Sequence, residues 1–575
     1  MSNGLVFVTD EFRKATMARQ IPGCSWHEES SERPKGWYFD PSTHKHAGTV
    51  AIALFPELRA NSSLQAPLTG LDHVRPTDLA TPWAQGKDPH ELLPGVPDRY
   101  LDVLFPYQLA DLGFLRARLL NDGGGVLGWD RGMGKTFGGY LLALTLRGNR
   151  RKFRVLVVTN RKAKKAIWLP EPKKWDLPVV VHDIGGTAAQ RNRVVREWSL
   201  YADDDISFAA IHPEALRLID WKALPKIDMV IFDESHKLAN GGNAHQRGVP
   251  AFYKALKTIK SDYRLGLSGS IIVNGPEDFF GTLHWVLPER YKRRWADWND
   301  RYLEYVQGSA HKTLVDVNRA RLPEMKRELG AFITVRFKQD ELENVPKVLP
   351  QDIRVDLGKE QRRVYDEMAE SLVAELPDGT RLRAENHMVK LMRLRQIACG
   401  LQLVDSGEPI LADDAKVEAA LGLIVDNLPH KTVVFTWHRA AADSIQQHLD
   451  KEGVGCAKVY GGMSDTASQM EIDRFNRTPD CKVFVGTMKS VGESINLNAA
   501  ESGGCSDVVF VETSWVPTDM EQAQDRVAGG LRQLGQKRRI SVTRVIARDT
   551  VDEYRVIPTL ESKAAIRKLI LGGTA

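Results

Sequence analysis

Two glycines, a lysine and a threonine fall together in Gly132-Met133-Gly134-Lys135-Thr136. The glycines permit a bend in which successive amide groups point into one hollow, the helix-like stretch from Phe137 to Arg147 adds positive potential, and Lys135 supplies a mobile cation. Such a hollow holds a polyphosphate, and Thr136 stands where it can ligate a magnesium ion bridging the outer phosphates. Trp129 occupies the position at which the strict Gly-x4-Gly-Lys-Thr pattern has its first glycine. A lone Gly-Lys-Thr also suits an ordinary strand-to-helix turn, so a second feature decides. The apolar run Asp228 to Phe232 ends in Asp233-Glu234-Ser235-His236, which reads as a buried parallel strand delivering carboxylates at its C-terminal end, the edge where open α/β sheets bind ligands. Asp233 is placed to hold magnesium, directly or through water, and Glu234 to polarise an attacking water as general base.

The elements that must position these residues are legible as alternation. From Leu104 to Pro288 apolar strands at Val126-Leu127, Val155–Thr159, Phe208–Ile211, Met229–Phe232 and Leu265–Leu267 alternate with helical stretches, which predicts a parallel sheet covered on both faces. Leu265 to Ser270 ends its strand in small hydroxyl residues near the same edge. A second alternation follows Lys416, with strands at Val433–Thr436, Ala457–Tyr460, Val483–Val485, Val508–Val511 and Val542–Ile546, and no phosphate loop of its own. Two similar lobes with one phosphate loop imply that the second completes the site across a cleft. Between Glu289 and Asp413 the pattern turns helical and charged, as in Arg301 to Tyr305 and Gln361 to Leu376, and the apolar residues of His387–Gln396 read as helix packing. Short alternating pieces at Leu5–Val8 and Gly36–Phe39 suggest a small β-rich N-terminal module, and Pro82–Pro97 reads as the linker leaving it. The expected division is an accessory module and linker over 1–95, a first lobe over 96–288, helical insertions over 289–413 and a second lobe over 414–575.

At 575 residues, 42% apolar and 27% charged, the composition is that of a globular protein of several domains. No apolar run reaches the roughly 20 residues a membrane helix needs, and Met1 to Gly4 opens no signal peptide. The five cysteines, at 24, 399, 456, 481 and 505, never form Cys-x-x-Cys, which supports neither a disulfide framework nor a zinc site. The expectation is a reducing, cytoplasmic compartment, or the nucleus of a eukaryote. Net charge is only +5, yet nine of the residues from Arg151 to Trp175 are basic against the single acid Glu171, and Lys537-Arg538-Arg539 forms a second basic run. Such runs are solvated faces unless a groove gathers them.

With these boxes in view, the chain resembles the Swi/Snf-type members of helicase superfamily two from Leu104 onward. Phe105-Pro106-Tyr107-Gln108-Leu109, Asp233-Glu234-Ser235-His236, Leu267 to Ser270 with Asn274, and Leu394-Arg395-Gln396 are similar to the family's boxes in the first part of the chain. Tyr460 to Ser464, Phe475-Asn476, Thr487 to Leu497, Trp515-Val516-Pro517 and Gln522 to Arg526 are similar to those of the second lobe. The resemblance implies two RecA-like lobes of α/β class with helical insertions, and a DNA-dependent ATPase using ATP and Mg2+. It implies that Gln108 reads the adenine edge, that Gly132, Gly134, Lys135 and Thr136 bind the phosphates, and that Arg526 contacts the γ-phosphate in the closed state.

The chain departs from the family where four extra residues follow Asp525-Arg526, making Arg532 the candidate second arginine, and where Ser494 replaces a glycine. The expected partner is DNA, duplex or forked, held by its phosphates regardless of sequence through Thr159, Lys162, Lys165, Thr487 and Lys489. The chain is expected to act as a monomer, with replication or repair proteins as further partners. Ile21 to Cys24 followed by Gly36 to Phe39 faintly resembles the accessory module of annealing helicases, although a proline turn before a hairpin gives the same letters. The alternatives are a strand-separating helicase, a motor subunit of a restriction or defence complex, and a nucleotide-gated binding module.

Overall fold

The computed structural model describes residues 6–9, 25–27, 36–39, 80–200, 206–242, 249–273, 275–292, 295–307, 312–341, 348–375, 381–403, 409–411, 414–488, 490–491, 495–528 and 539–572. The N-terminal strands β1 (Val6–Thr9), β2 (Ser25–His27) and β3 (Gly36–Phe39) form an antiparallel sheet in the order β1-β3-β2. Beyond them the chain divides into two compact units, one comprising residues 67–345 with 565–575, the other 346–564 together with 1–66.

The first large unit is built on β4 (Gly124–Trp129), β5 (Phe153–Val158), β6 (Val179–Asp183), β7 (Ile206–Ile211), β8 (Ile227–Asp233), β9 (Ser261–Leu267) and β12 (Ile333–Arg336). They form a seven-stranded sheet in the order β12-β4-β9-β8-β5-β7-β6, and every pairing is parallel. A ribbon of β10 (Leu303–Gln307) and β11 (Lys312–Val317) stands apart from it. Because side chains alternate across a strand, the sheet feeds two cores. Val126, Leu156, Val158, Val230 and Phe232 enter one, while Leu127, Val155, Val157, Met229 and Ile231 enter the other. Both faces are dry, which is why these strands read as continuous apolar runs.

The second large unit contains β13 (Val348–Val355), β18 (Lys431–Thr436), β19 (Gly455–Val459), β20 (Cys481–Thr487), β21 (Cys505–Phe510) and β22 (Ile540–Ala547). They make an all-parallel six-stranded sheet in the order β13-β22-β21-β18-β20-β19. Two short hairpins, β14 (Val373–Glu375) with β15 (Arg381–Arg383) and β16 (Leu401–Leu403) with β17 (Pro409–Leu411), lie between β13 and β18. Val433 and Phe435 face one core and Val434 the other. Cys399, Cys456, Cys481 and Cys505 are buried and in no disulfide. No described helix is long and apolar enough to cross a membrane.

Three expectations need correction. The stretch 289–413 is not a run of helical insertions between lobes: β12 pairs with β4, β13 pairs with β22, and Leu303–Tyr305 belongs to a strand. The run Pro82–Pro97 is not a linker, because Leu92, Leu93 and Val96 are buried in the first unit's core. Leu92 lies so close to the helix Pro106–Asp122 that a Cβ on Gly113 would meet it at 2.9 Å. The Met and Leu stripe of the helix His387–Ala398 is only partly core: Leu394, Ile397 and Ala398 are buried, whereas Met392 is exposed.

Candidate active site

The site is built across three neighbouring strand ends. Leu127 of β4, Leu267 of β9 and Asp233 of β8 lie level in one row of the sheet. β4 and β8 are therefore two strand spacings apart, about 10 Å, with Ser268-Gly269-Ser270 between them.

After β4 the chain curls before the helix Lys135–Arg147. Gly132 and Gly134 take φ of 79° and 89°, a left-handed geometry that a side chain disfavours. The loop closes on its own lysine: Lys135 Nζ donates to the carbonyls of Trp129 at 2.7 Å and Asp130 at 3.1 Å. Opposite, Gly269 leaves the room, since a Cβ there would stand 3.1 Å from Arg131 Cγ and 3.3 Å from Lys135 Nζ. Burial lowers the Lys135 pKa, and the negative charge of Glu234 opposes that shift. Thr136 is half-buried in the first turn of the helix.

Trp129 is the wall of the loop rather than a member of the cradle. Its side chain is wholly buried, and its Nε1 donates to Asp111 Oδ2 at 2.8 Å. Arg336 of β12 grips the same carboxylate with two bonds, Nε to Oδ2 at 3.0 Å and Nη2 to Oδ1 at 2.7 Å. Gln108 also faces the loop: its Nε2 donates to Met133 O at 2.8 Å, and its Oε1 accepts from Phe105 N at 2.9 Å. One amide hydrogen remains for a base edge.

Asp233 ends β8 on the face shared with Ile231, the side lined by Trp168 and Tyr140. Its Oδ2 accepts from Thr159 Oγ1 at 2.8 Å and from Trp168 Nε1 at 3.0 Å, while Oδ1 accepts only the Glu234 amide at 3.1 Å. Burial and the charge of Glu234 raise the Asp233 pKa, against the pull of its two donors. Glu234 has φ of 56°, a left-handed conformation that costs a residue with a Cβ free energy and tends to persist at functional sites. Its Oε2 is buried and makes no hydrogen bond. His236 Nδ1 lies 3.3 Å from that oxygen but makes its hydrogen-bonding contact with Ser268 Oγ at 3.0 Å. Burial pushes the Glu234 pKa up, but His236, Arg131 and Lys135 together outweigh it and hold the carboxyl below its ordinary range. The arrangement presents two cations, a hydroxyl and an ionised carboxylate with an unfilled acceptor position along one edge.

Sequence reasoning placed Thr159 and Thr487 in a DNA groove; in the structure both side chains are buried. Thr159 is level with Asp233 in the sheet and 1% exposed. Thr487 is 6% exposed and its hydroxyl pairs with Ser490 Oγ. Lys162 is half-exposed and Lys165 exposed. Arg526, in the other unit, is 8% exposed with Nη1 3.4 Å from Ile495 O. Lys489, Arg532, Asn274, Ser494, Lys537, Arg538 and Ile21 to Cys24 lie outside the described residues. Arg131, Trp168 and His236 were given no role from the sequence. Arg131 was findable as a second cation inside the loop, whereas Trp168 carries no local signal.

The profile described as SNF2-related domain matches residues 107–403, more than half of the chain, and that of the helicase conserved C-terminal domain matches residues 415–529. An uncharacterised ATP-dependent helicase of Mycoplasma genitalium is 24% identical over 476 residues, 82% of this chain and 42% of its own length. The DNA annealing helicase and endonuclease ZRANB3 of Homo sapiens is 22% identical over 468 residues, 80% of this chain and 40% of its own. The chain thus spans less than half the length of either relative. Among solved structures, the SWI2/SNF2 ATPase core of Sulfolobus solfataricus in complex with dsDNA aligns at 18% identity and a TM-score of 0.36, over 85% of this chain and all of that one. By the extent of the first match, this chain belongs to the SNF2-related family, joined to a helicase C-terminal domain.

Proposed function

We propose that this protein is an ATP-dependent motor that moves along duplex DNA. The single observation that carries the reading is the convergence of Lys135, Asp233 and Glu234 on one sheet edge, with Glu234 Oε2 buried and paired with His236 Nδ1 at 3.3 Å. A buried carboxylate kept ionised by neighbouring cations can still accept from a water placed beside a γ-phosphate and polarise it.

A magnesium ion that accompanies ATP would take ligands from the phosphate oxygens as well as from the protein. The residues present fit such an ion, with the Thr136 hydroxyl and Asp233 Oδ1 as its protein ligands. Magnesium, when bound with ATP, supplies neutralisation of charge on the transferring phosphoryl group. Lys135 would leave the Trp129 and Asp130 carbonyls for the outer phosphates, and Gln108 would orient the adenine. Glu234, held ionised, orients the attacking water and accepts its hydrogen bond. Arg526, and Arg532 beyond it, would arrive from the second unit on closure, so that hydrolysis depends on movement.

With Thr159 and Thr487 buried, the DNA contacts fall to Arg161 and Lys165, which are exposed, to the half-exposed Lys162 and to Lys489, which makes binding sequence-independent and steeply salt-dependent. Remodelling or rewinding of replication and repair intermediates is the use that suits such a motor. Lys135→Ala and Glu234→Gln are expected to reduce DNA-stimulated ATP hydrolysis to background while retaining DNA binding, as measured by phosphate release and by anisotropy of a labelled duplex. Turnover at the unaltered rate in either variant would refute the site.

A further inference from the structure

Between Thr159 and Trp168 the chain leaves the sheet edge and returns to it. Thr159 continues β5 level with Asp233 and donates to Asp233 Oδ2 at 2.8 Å. Asn160 then caps a single helical turn, its side chain accepting from Ala163 N at 2.7 Å. A π-helical turn, Lys164–Trp168, follows at once, a geometry that recurs at functional positions. It swings the indole inward: Trp168 is wholly buried, its ring centroid 5.3 Å from that of Tyr140, and its Nε1 donates to the same Oδ2 at 3.0 Å. Two residues nine apart in sequence therefore hold one oxygen.

Between these ends the segment has two faces. Lys164 turns inward, ion-paired to Asp183 and 3.3 Å from Ile184 O. Arg161 and Lys165 are exposed and Lys162 is half-exposed. These cations thus lie on a strap whose two ends are hydrogen-bonded to Asp233.

We propose that the Thr159–Trp168 strap couples DNA contact at Arg161, Lys162 and Lys165 to the carboxylate of Asp233, through the two hydrogen bonds that its ends make to Oδ2. The inference rests on the reading of this site as a DNA-stimulated ATPase. Trp168 and Thr159 are positioning residues: they act on the nucleotide only through Asp233. Because coupling between two ligands is reciprocal, it is measurable without turnover.

The test is the affinity of a fluorescent non-hydrolysable ATP analogue with Mg2+, measured with and without saturating duplex DNA. The comparison runs across the unaltered chain, Thr159→Val, Thr159→Ser, Trp168→Phe and the Thr159→Val/Trp168→Phe double variant. DNA should change the affinity of the unaltered chain by roughly fivefold or more. Thr159→Val, which keeps the shape and loses the hydroxyl, and Trp168→Phe should each cut that ratio. The double variant should bring it to about one, and Thr159→Ser should restore it. Unchanged coupling in Thr159→Val, or an equal loss of affinity with and without DNA, would overturn the strap. No effect of DNA on the unaltered chain would overturn both the strap and the reading beneath it. Thr159→Val keeps the shape and loses the hydroxyl, whereas Thr159→Ser keeps the hydroxyl and loses a methyl, so the pair decides the matter even if Trp168→Phe fails to fold.

Discussion

Glu234 holds its position at the cost of backbone strain, at φ 56°, with a buried carboxylate kept ionised by His236 and the nearby cations. A left-handed non-glycine residue costs about 1–3 kcal/mol. Glu234→Gly should thus melt no lower than the unaltered chain while losing hydrolysis, and a clearly lower Tm by calorimetry would show that the residue is there for stability. In the other unit, Glu512 accepts from the Trp437 and His438 amides at 2.8 and 2.9 Å and from the His438 ring at 2.6 Å. Burial pushes its pKa up, but His438 and Lys416 prevail and hold it down at about 2, from an ordinary 4.5. Between those values the unfolded chain takes up a proton that the folded chain refuses, so this stability is present above pH 4.5 and is lost as pH falls toward 2. Glu512→Gln is expected to lower the Tm at pH 7, with the gap to the unaltered chain closing over that window. A gap independent of pH would refute the assignment.

The same scale shows what the sequence could reveal. Lys135, Asp233 and Glu234 were legible because each sits in a local motif whose chemistry requires its type. Thr159 stands in the sequence as a hydroxyl among lysines, the pattern of a phosphate contact. Its partner in the structure, Asp233, is 74 residues away and meets it through strand register.

At the scale of elements, β4 to β9 were largely readable because a strand buried on both faces is a run of apolar residues. β6, β12 and β13 were not. Val179–Asp183 is a half-exposed edge, Ile333–Arg336 is four residues long, and Val348–Val355 is mostly exposed with a proline. β12 nonetheless holds the phosphate loop, because Arg336 links it to Asp111 and through Asp111 to Trp129. Asp111 is fully buried and the Arg336 side chain 10% exposed. Removing one partner of such a pair strands the other charge, which costs about 3–5 kcal/mol. Asp111→Ala is expected to destabilise the first unit by that order in chemical denaturation and to weaken nucleotide binding. A loss below about 1 kcal/mol would mean that the network is incidental.

For the whole molecule, the two units begin and end where contacts divide rather than where composition shifts, at 67 and at 345/346. Deletion of residues 1–66 should spare ATP hydrolysis and alter preference among forked, duplex and single-stranded DNA. Deletion of 1–95 should also unfold the first unit, since Leu92, Leu93 and Val96 are part of its core. Equal solubility and melting of the two truncations would contradict the packing described. The central claim is that Lys135, Asp233 and Glu234 form an ATP-hydrolysing centre driven by DNA. Its most direct measurement is the steady-state rate of phosphate release from MgATP by the full chain, with and without duplex DNA, beside Glu234→Gln. The account predicts stimulation by duplex in the unaltered chain and background release in the variant. Equal rates with and without any nucleic acid, or full activity in Glu234→Gln, would contradict it.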